Sequence, residues 1–588
     1  MKWRRKAISS GPAIILILAM VFSETAGQVT LRYQQNETVT WQEAIDMYRW
    51  LDRTYTEARL MEAGTTDAGK PLHLFIISED GTFSPGEIRE SGRGILFINN
   101  GIHPGEPGGI DASLKLAGGL LSGKDPYSTY LKNTVVVIVP VLNVGGALNR
   151  SLYHRANQNG PVEHGFRGNA RNLDLNRDFM KLDAQNTRSL VRVIREWDPD
   201  LFADTHTTNG ADYPYTVTLI NSHQQRHQPP LAELLDSLML PWLFDAMDQT
   251  PFRMSPYFWT AGRSPREGIV SFMDYPRYTS GYVSLFDAPA FTIETHMFKP
   301  FAERVESTWR LLREMLKFAS IHQKELLTAR EESRNMKLEA GKFTLEWQVD
   351  SSRYRMIPMK GYRMKQRISR VTGHPVAYFD RSDPWEEEVR QYRYFSPVTS
   401  VKVPEYYLLP SAWTEAVERL QLNGVVMEPL PADTLMEAEV YYIEELETSS
   451  RPYNGHYRHT GVNVRKEQMP VQLFRGDWKI PVRQPAIELI VQALEPQGYD
   501  SWFRWNFFDE VLFRNEYFSP YIFDHTAEEL LEKDPELKRQ FRLKQETDPA
   551  FADSPYLQLR YIYEHSPWSE PTYRRYPVYR SVDGLQDH

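Results

Sequence analysis

The sequence predicts an α/β protein: a mixed, mostly parallel open sheet covered by helices, followed by a β-rich C-terminal region. Three observations carry this. Two uninterrupted apolar runs of β type, residues 94–99 and 134–140, bracket a stretch of helical spacing at 109–121. Strands that are apolar along their whole length belong to sheets covered on both faces. The pattern then recurs, with a helix expected near 184–197 and strands at 201–206 and 290–294. Beyond Gly341 the chain changes to short alternating segments such as 343–349, rich in Tyr, Trp and Pro.

Taken in order, the chain starts with Lys2, Arg4, Arg5 and Lys6, an apolar run over 12–22, and the small residues Thr25, Ala26 and Gly27. This reads as an export signal over 1–27, cut near Gln28. As a membrane anchor the run is about half of the ~20 residues a spanning helix needs, and no transmembrane segment is expected once the signal is removed. A helix is predicted over about 40–60 and a strand over 72–77, stopped by Asp80-Gly81. A long amphipathic stretch at about 300–337 (Trp309, Leu312, Met315, Leu316, Ile321) closes a first domain spanning 28–337. The remainder, 338–588, is expected to be a β-rich accessory region, split again near Arg451, with helices only near 413–422 and 527–543.

With 588 residues the chain is too long for one ordinary core. A net charge of -9, from 68 basic and 77 acidic residues, gives no electrostatic basis for nucleic-acid binding. There is no cysteine, which excludes disulfides, thiolate metal sites and a cysteine nucleophile. An exported chain of this size without disulfides points to a bacterial envelope, periplasmic or extracellular.

The chemistry concentrates in Asn99-Asn100-Gly101-Ile102-His103-Pro104-Gly105-Glu106-Pro107. An imidazole and a carboxylate three residues apart can converge on one cation, and both are good zinc ligands. The spacing alone proves little, since His322/Glu325 and His525/Glu528 share it in helix-like charged segments. His103 and Glu106 differ in following a buried strand directly, where open sheets place their ligands. His206, at the end of another apolar strand, is the third candidate ligand, and Asp204 two residues earlier could support it from behind. Two His and one carboxylate leave a position open for water, and the reaction then needs a base. Glu294 ends the apolar run 289–293, where a carboxylate is costly to bury without a task or a partner. An ion pair to Lys299 is the plain alternative, and His296 is the less favoured base. Between the ligands, residues 166–179 are dense in arginine and asparagine, suited to an oxyanion or a terminal carboxylate.

Together these residues resemble the zinc metallocarboxypeptidase family typified by carboxypeptidase A. His103 and Glu106 look like its His-x-x-Glu element, Asp174-Leu175-Asn176-Arg177-Asp178-Phe179 is close to its Asp-Leu-Asn-Arg-Asn-Phe element, and residues 291–296 match the element that contributes the base. Residues 62–72 resemble the family's early turn and strand. The resemblance covers about 40–320. It implies one zinc ion per chain on His103, Glu106 and His206, with Glu294 as general base. It also implies Asn176 and Arg177 on the substrate's C-terminal carboxylate, Arg167 on the oxyanion, and Tyr278 as the substrate tyrosine. Arg171 competes with Arg167, and Tyr275 and Tyr282 with Tyr278. The family's Asn-Pro-Asp-Gly is here Asn143-Val144-Gly145-Gly146. The expected activity is removal of C-terminal residues from peptides with a free carboxylate. The alternatives are hydrolysis of a cell-wall peptide or other amide on the same fold, and a binding protein that has lost activity.

Overall fold

The structure, a computed structural model, describes residues 30–208 and 210–582. The export signal expected over 1–27 lies outside these residues. Among the described residues no helix is long and apolar enough to cross a membrane.

The first half of the chain contributes ten strands: β1 (Ala58–Thr65), β2 (Pro71–Ile77), β3 (Gly94–Asn99), β4 (Thr134–Val139), β5 (Leu201–Thr208), β6 (Val217–Asn221), β7 (Met254–Pro256), β8 (Phe258–Thr260), β9 (Ile269–Ser271) and β10 (Ala290–His296). Eight of them form one sheet in the order β1-β2-β4-β3-β5-β10-β6-β7. Its centre, β4-β3-β5-β10, is parallel throughout. The alternation along each central strand feeds two cores. Ile95 and Phe97 pack on one face with Leu190, Val191 and Ile194 of the helix Gln185–Trp197. Leu96 and Ile98 pack on the other with the helices Gly108–Leu121 and Phe301–Ile321. A strand covered on both faces has to be apolar at every position, which is why these runs are uninterrupted. The carboxyl ends of β3, β5 and β10 therefore open at one edge of the sheet.

Two expectations for the helices change. The first helix runs Trp41–Thr54, opened by a capping box between Thr40 and Glu43, and stops well before residue 60. The run Thr54-Tyr55-Thr56 is unfavourable for helix, with two β-branched side chains stiff at χ1. The chain then turns into β1, which pairs with β2. The stretch over 300–337 is two helices, Phe301–Ile321 and Gln323–Leu338, divided at His322, whose backbone is non-helical (φ -102, ψ 28). The His322 ring there packs against Phe318 and Trp242, with centroids 4.8 and 5.3 Å away.

Beyond residue 340, strands β11 (Lys342–Val349), β12 (Arg355–Ile368), β13 (Pro375–Tyr392) and β14 (Phe395–Lys402) follow. β12 and β13 form a long hairpin whose open end joins β9 and β8 in a four-stranded sheet, with Gln391 beside Ile269. This pairing crosses the boundary expected near 337. A six-stranded sheet includes a second long hairpin, Thr434–Thr448 with His459–Leu473. The region also holds more helix than expected: Pro520–Lys533, Pro535–Thr547, Pro549–Ala552 and Pro555–Glu564 surround Phe523, Phe541, Phe551 and Ile562. The helix expected over 527–543 is divided here, because Pro535 begins a new helix capped by Asp534.

Candidate active site

Leaving β3, the chain turns at Gly101 (φ +64), a left-handed conformation suited to glycine. Glu106 N then donates to His103 O at 2.8 Å, which folds His103 and Glu106 toward each other before the helix Gly108–Leu121 begins. That helix lies against β5 at Gly109, where a Cβ would come within 1.9 Å of Thr205 Oγ1. His206 follows Thr205 directly. The close approach of helix to strand thus brings the turn and the end of β5 together.

His103, Glu106 and His206 are all buried, and their ligand atoms lie within 4.8 Å of one another. His103 Nδ1 is 3.1 Å from His206 Nδ1, and His206 Nδ1 is 3.2 Å from Glu106 Oε2. Behind the rings, His103 Nε2 is 2.8 Å from Asp174 Oδ1 and His206 Nε2 is 3.1 Å from Asp204 Oδ2. Asp204 is itself held by Asn99, whose Nδ2 donates to Oδ1 at 3.0 Å. A carboxylate behind each ring favours the N–H at Nε2, which turns the Nδ1 lone pairs toward each other and toward Glu106. Such a set of converging donors fits a metal cation. The surrounding carboxylates also favour positive charge here: burial opposes protonation of His206, yet Asp204, Glu106 and Glu294 outweigh it and hold its pKa well above the ordinary value, so a proton competes with a metal cation for its ring.

Glu294 is the register partner of His206 on the neighbouring strand β10. Its Oε2 is buried and makes no hydrogen bond among the described residues. Burial pushes its carboxyl up to about 7, with the Glu106 charge adding to the rise and His206 opposing it. Arg167 donates from Nε and Nη2 to Asp174 Oδ2 at 3.1 and 2.9 Å, and its Nη1 is 3.3 Å from Glu106 Oε1. Its backbone carbonyl accepts from Asn143 Nδ2 at 3.0 Å, and Asn143 Oδ1 accepts from Gly146 N at 2.8 Å. The altered Asn143-Val144-Gly145-Gly146 turn thus holds the arginine loop. Asn176 Oδ1 accepts from Thr279 N at 3.1 Å, and the Arg177 guanidinium lies 4.6 Å from the Tyr278 ring centre.

All eight residues singled out in the sequence, His103, Glu106, Arg167, Asn176, Arg177, His206, Tyr278 and Glu294, line one cavity of about 250 Å³. A neighbouring cavity of about 230 Å³ shares Ile220, Tyr257 and Phe272 with it but contains none of the eight. The competing residues lie elsewhere. Arg171 donates to Asp183 O at 2.7 Å outside the cavity. The Tyr275 hydroxyl bonds the backbone of Trp347, and the buried Tyr282 hydroxyl donates to Asn423 Oδ1 at 2.6 Å. His296 is 3.0 Å from Ala211 O through Nε2, and its ring lies tilted against Tyr213 with centroids 4.3 Å apart. His322 faces Glu325 along its helix at 3.5 Å, and His525 faces Glu529 at 3.4 Å.

One residue in the cavity escaped the sequence reading. Arg155 donates to Glu106 Oε1 and, at 2.9 Å, to Thr207 O. Burial works against an ionised Glu106, but Arg155 and His103 hold its pKa well below the usual carboxylate range. As a lone arginine in a polar loop, Arg155 carries no mark in the sequence.

Residues 47–239 match the model of the zinc carboxypeptidase family. The chain is 20% identical to carboxypeptidase 2 of Trichophyton rubrum over 418 residues, which covers 69% of this chain and 72% of that protein. Carboxypeptidase 2 of Trichophyton equinum matches with the same identity and the same coverage. Among solved structures, a metallo-carboxypeptidase from Burkholderia cenocepacia aligns with a TM-score of 0.37 and 16% identity, over 49% of this chain and 71% of that one. Carboxypeptidase A from Helicoverpa armigera aligns with a TM-score of 0.37 and 14% identity, over 51% and 75%. The curated relatives are fungal, which overturns the bacterial envelope expected from the sequence; absence of cysteine does not tell one kind of organism from another. Over residues 47–239, which hold His103, Glu106 and His206, the chain is similar to the zinc carboxypeptidase family, a similarity that supports a hydrolase of the metallopeptidase class.

Proposed function

We propose that the protein is a zinc-dependent carboxypeptidase that removes the C-terminal residue of peptides. The observation that carries this reading is the convergence of His103, Glu106 and His206 with Glu294, whose buried Oε2 makes no hydrogen bond among the described residues, in one cavity. The three converging donors would hold one zinc ion, which when bound acidifies a water and polarises the scissile carbonyl.

The chain's own groups supply the rest. Glu294, beside His206, accepts a proton from the attacking water and delivers it to the leaving amine nitrogen. A carboxyl raised toward neutrality by burial suits both transfers. Arg167, fixed in orientation by its two bonds to Asp174, donates to the oxyanion of the tetrahedral intermediate. Asn176 and Arg177 grip the terminal carboxylate, and Tyr278, whose ring lies beside the Arg177 guanidinium, covers the bound end of the peptide. Asp174 bonds the His103 ring from behind, and the Asp204 carboxylate lies 3.1 Å behind His206 as its ion-pair partner.

The test is zinc content by elemental analysis of the wild type and of His206→Ala, with release of C-terminal amino acids from a mixed peptide set. The expected result is about one zinc per chain, lost in the variant together with release, as a three-ligand site requires. A wild type that carries no zinc, or that binds zinc and releases no terminal residue, overturns the reading.

A further inference from the structure

The segment Asp174–Arg177 is completed by a part of the chain far away in sequence. The long hairpin formed by Thr434–Thr448 and His459–Leu473 projects its connecting loop, 449–458, onto this segment. Asn454 holds Asp174 at both backbone atoms: Asp174 N donates to Asn454 Oδ1 at 2.7 Å, and Asn454 Nδ2 donates to Asp174 O at 3.2 Å. The Tyr453 hydroxyl accepts from Arg177 Nε at 2.8 Å. His456 adds a third anchor, its Nε2 2.8 Å from Asp183 Oδ2. Asn454 sits in the left-handed region (φ 48), which asparagine tolerates better than most side chains.

These contacts determine how Arg177 is presented. Its Nη1 donates to Asn176 O at 2.7 Å and its Nε to Tyr453, so two points of the planar group are fixed. The Tyr453 ring is in turn held parallel to Trp505, with 16° between planes and centroids 6.0 Å apart. A guanidinium that must meet a carboxylate along a chosen edge loses less freedom on binding when its rotation is already set.

We propose that Tyr453 is a positioning residue: its hydroxyl orients Arg177 toward the substrate's terminal carboxylate, and the C-terminal hairpin is thereby a working part of the substrate site. The proposal rests on the reading of Arg177 given above, and its test separates the two. The zinc-loaded full-length enzyme is assayed on a blocked dipeptide with a free terminal carboxylate, comparing wild type, Tyr453→Phe, Arg177→Met and the double variant. Tyr453→Phe removes only the hydroxyl and keeps the ring on Trp505.

The expected result for Tyr453→Phe is a KM raised about fivefold to tenfold with kcat within about twofold, the scale of one ordinary hydrogen bond. Arg177→Met raises KM further, and Tyr453→Phe adds nothing in that background. A purely structural role would lower the melting temperature and leave KM untouched. If Arg177→Met raises KM and Tyr453→Phe does not, the positioning role falls and the carboxylate reading stands. If Tyr453→Phe raises KM equally with and without Arg177, Tyr453 does not act through Arg177 and the proposal falls. If Arg177→Met leaves KM unchanged, both fall together.

Discussion

His206 and Glu294 are register partners across the parallel pair β5–β10, so a buried imidazole and a carboxylate with an unpartnered oxygen leave the sheet side by side. On the proposed reading one binds the metal and the other moves the proton, and the two roles can be separated. Glu294→Gln keeps the side chain's shape and removes its basicity. Hydrolysis should fall by ~10²–10⁴-fold while elemental analysis finds the same zinc content as in the wild type. Undiminished turnover in this variant would remove Glu294 from the chemistry.

Asp174 joins two parts of the site, meeting His103 through Oδ1 and Arg167 through Oδ2. Burial opposes its ionisation, but His103, Arg167 and Arg177 hold its pKa far below the usual carboxylate range. Asp174→Asn should weaken metal affinity by ~10–100-fold, the usual cost of losing a carboxylate behind a ligating histidine. Competition against a chromogenic chelator measures this directly, and unchanged affinity would reduce Asp174 to a loop anchor.

Gly109 has no room for a side chain, because its Cβ would fall inside Thr205. Gly109→Ala must push the helix Gly108–Leu121 off β5 and take the His103–Glu106 turn with it. A loss of stability of ~1–3 kcal/mol is expected from overpacking, visible as a lower denaturation midpoint together with weaker metal binding. A variant with wild-type midpoint and metal affinity would show that the helix can shift without cost.

Asp111 lies buried in that same helix and accepts from Thr38 Oγ1 at 2.5 Å. Burial raises its carboxyl to about 7 from an ordinary 3.8. A carboxyl raised by folding binds its proton more tightly in the native state. Its contribution to stability is therefore complete below about pH 4 and is lost as pH rises through 7. Asp111→Asn cannot ionise, so its stability relative to the wild type should improve by on the order of 2 kcal/mol between pH 5 and pH 8. Denaturation midpoints of both proteins at the two pH values test the sign. A difference that does not change with pH would mean that Asp111 stays in one protonation state.

Legibility in the sequence followed the local physics. His103, Glu106, His206 and Glu294 stand out because each sits in or just after a run of apolar residues that leaves a polar group no ordinary place. The covered sheet was legible in the same runs, since β3 and β4 admit no polar alternation. Strand β1 was not, because its residues continue an amphipathic spacing that only Thr54-Tyr55-Thr56 interrupts. Arg155 has no pattern to mark it, its importance arising only when Glu106 and Thr207 are neighbours in space. Tyr453 was further from view still, because its partner Arg177 is 276 positions away.

That distance has a consequence in time. The bonds between Asp174 and Asn454 join points 280 residues apart along the chain. At synthesis rates of ~5–20 residues per second, Asp174 is made about 15 to 60 s before Asn454. Once β10 (Ala290–His296) has been made, the nascent chain holds every strand of its eight-stranded sheet together with His103, Glu106 and His206, while the segment Asp174–Arg177 still lacks the ties that hold it in the finished protein. The last part of the site to be assembled is set by the order of translation, so a ribosome that stalls before residue 454 leaves that segment without the hairpin's hold.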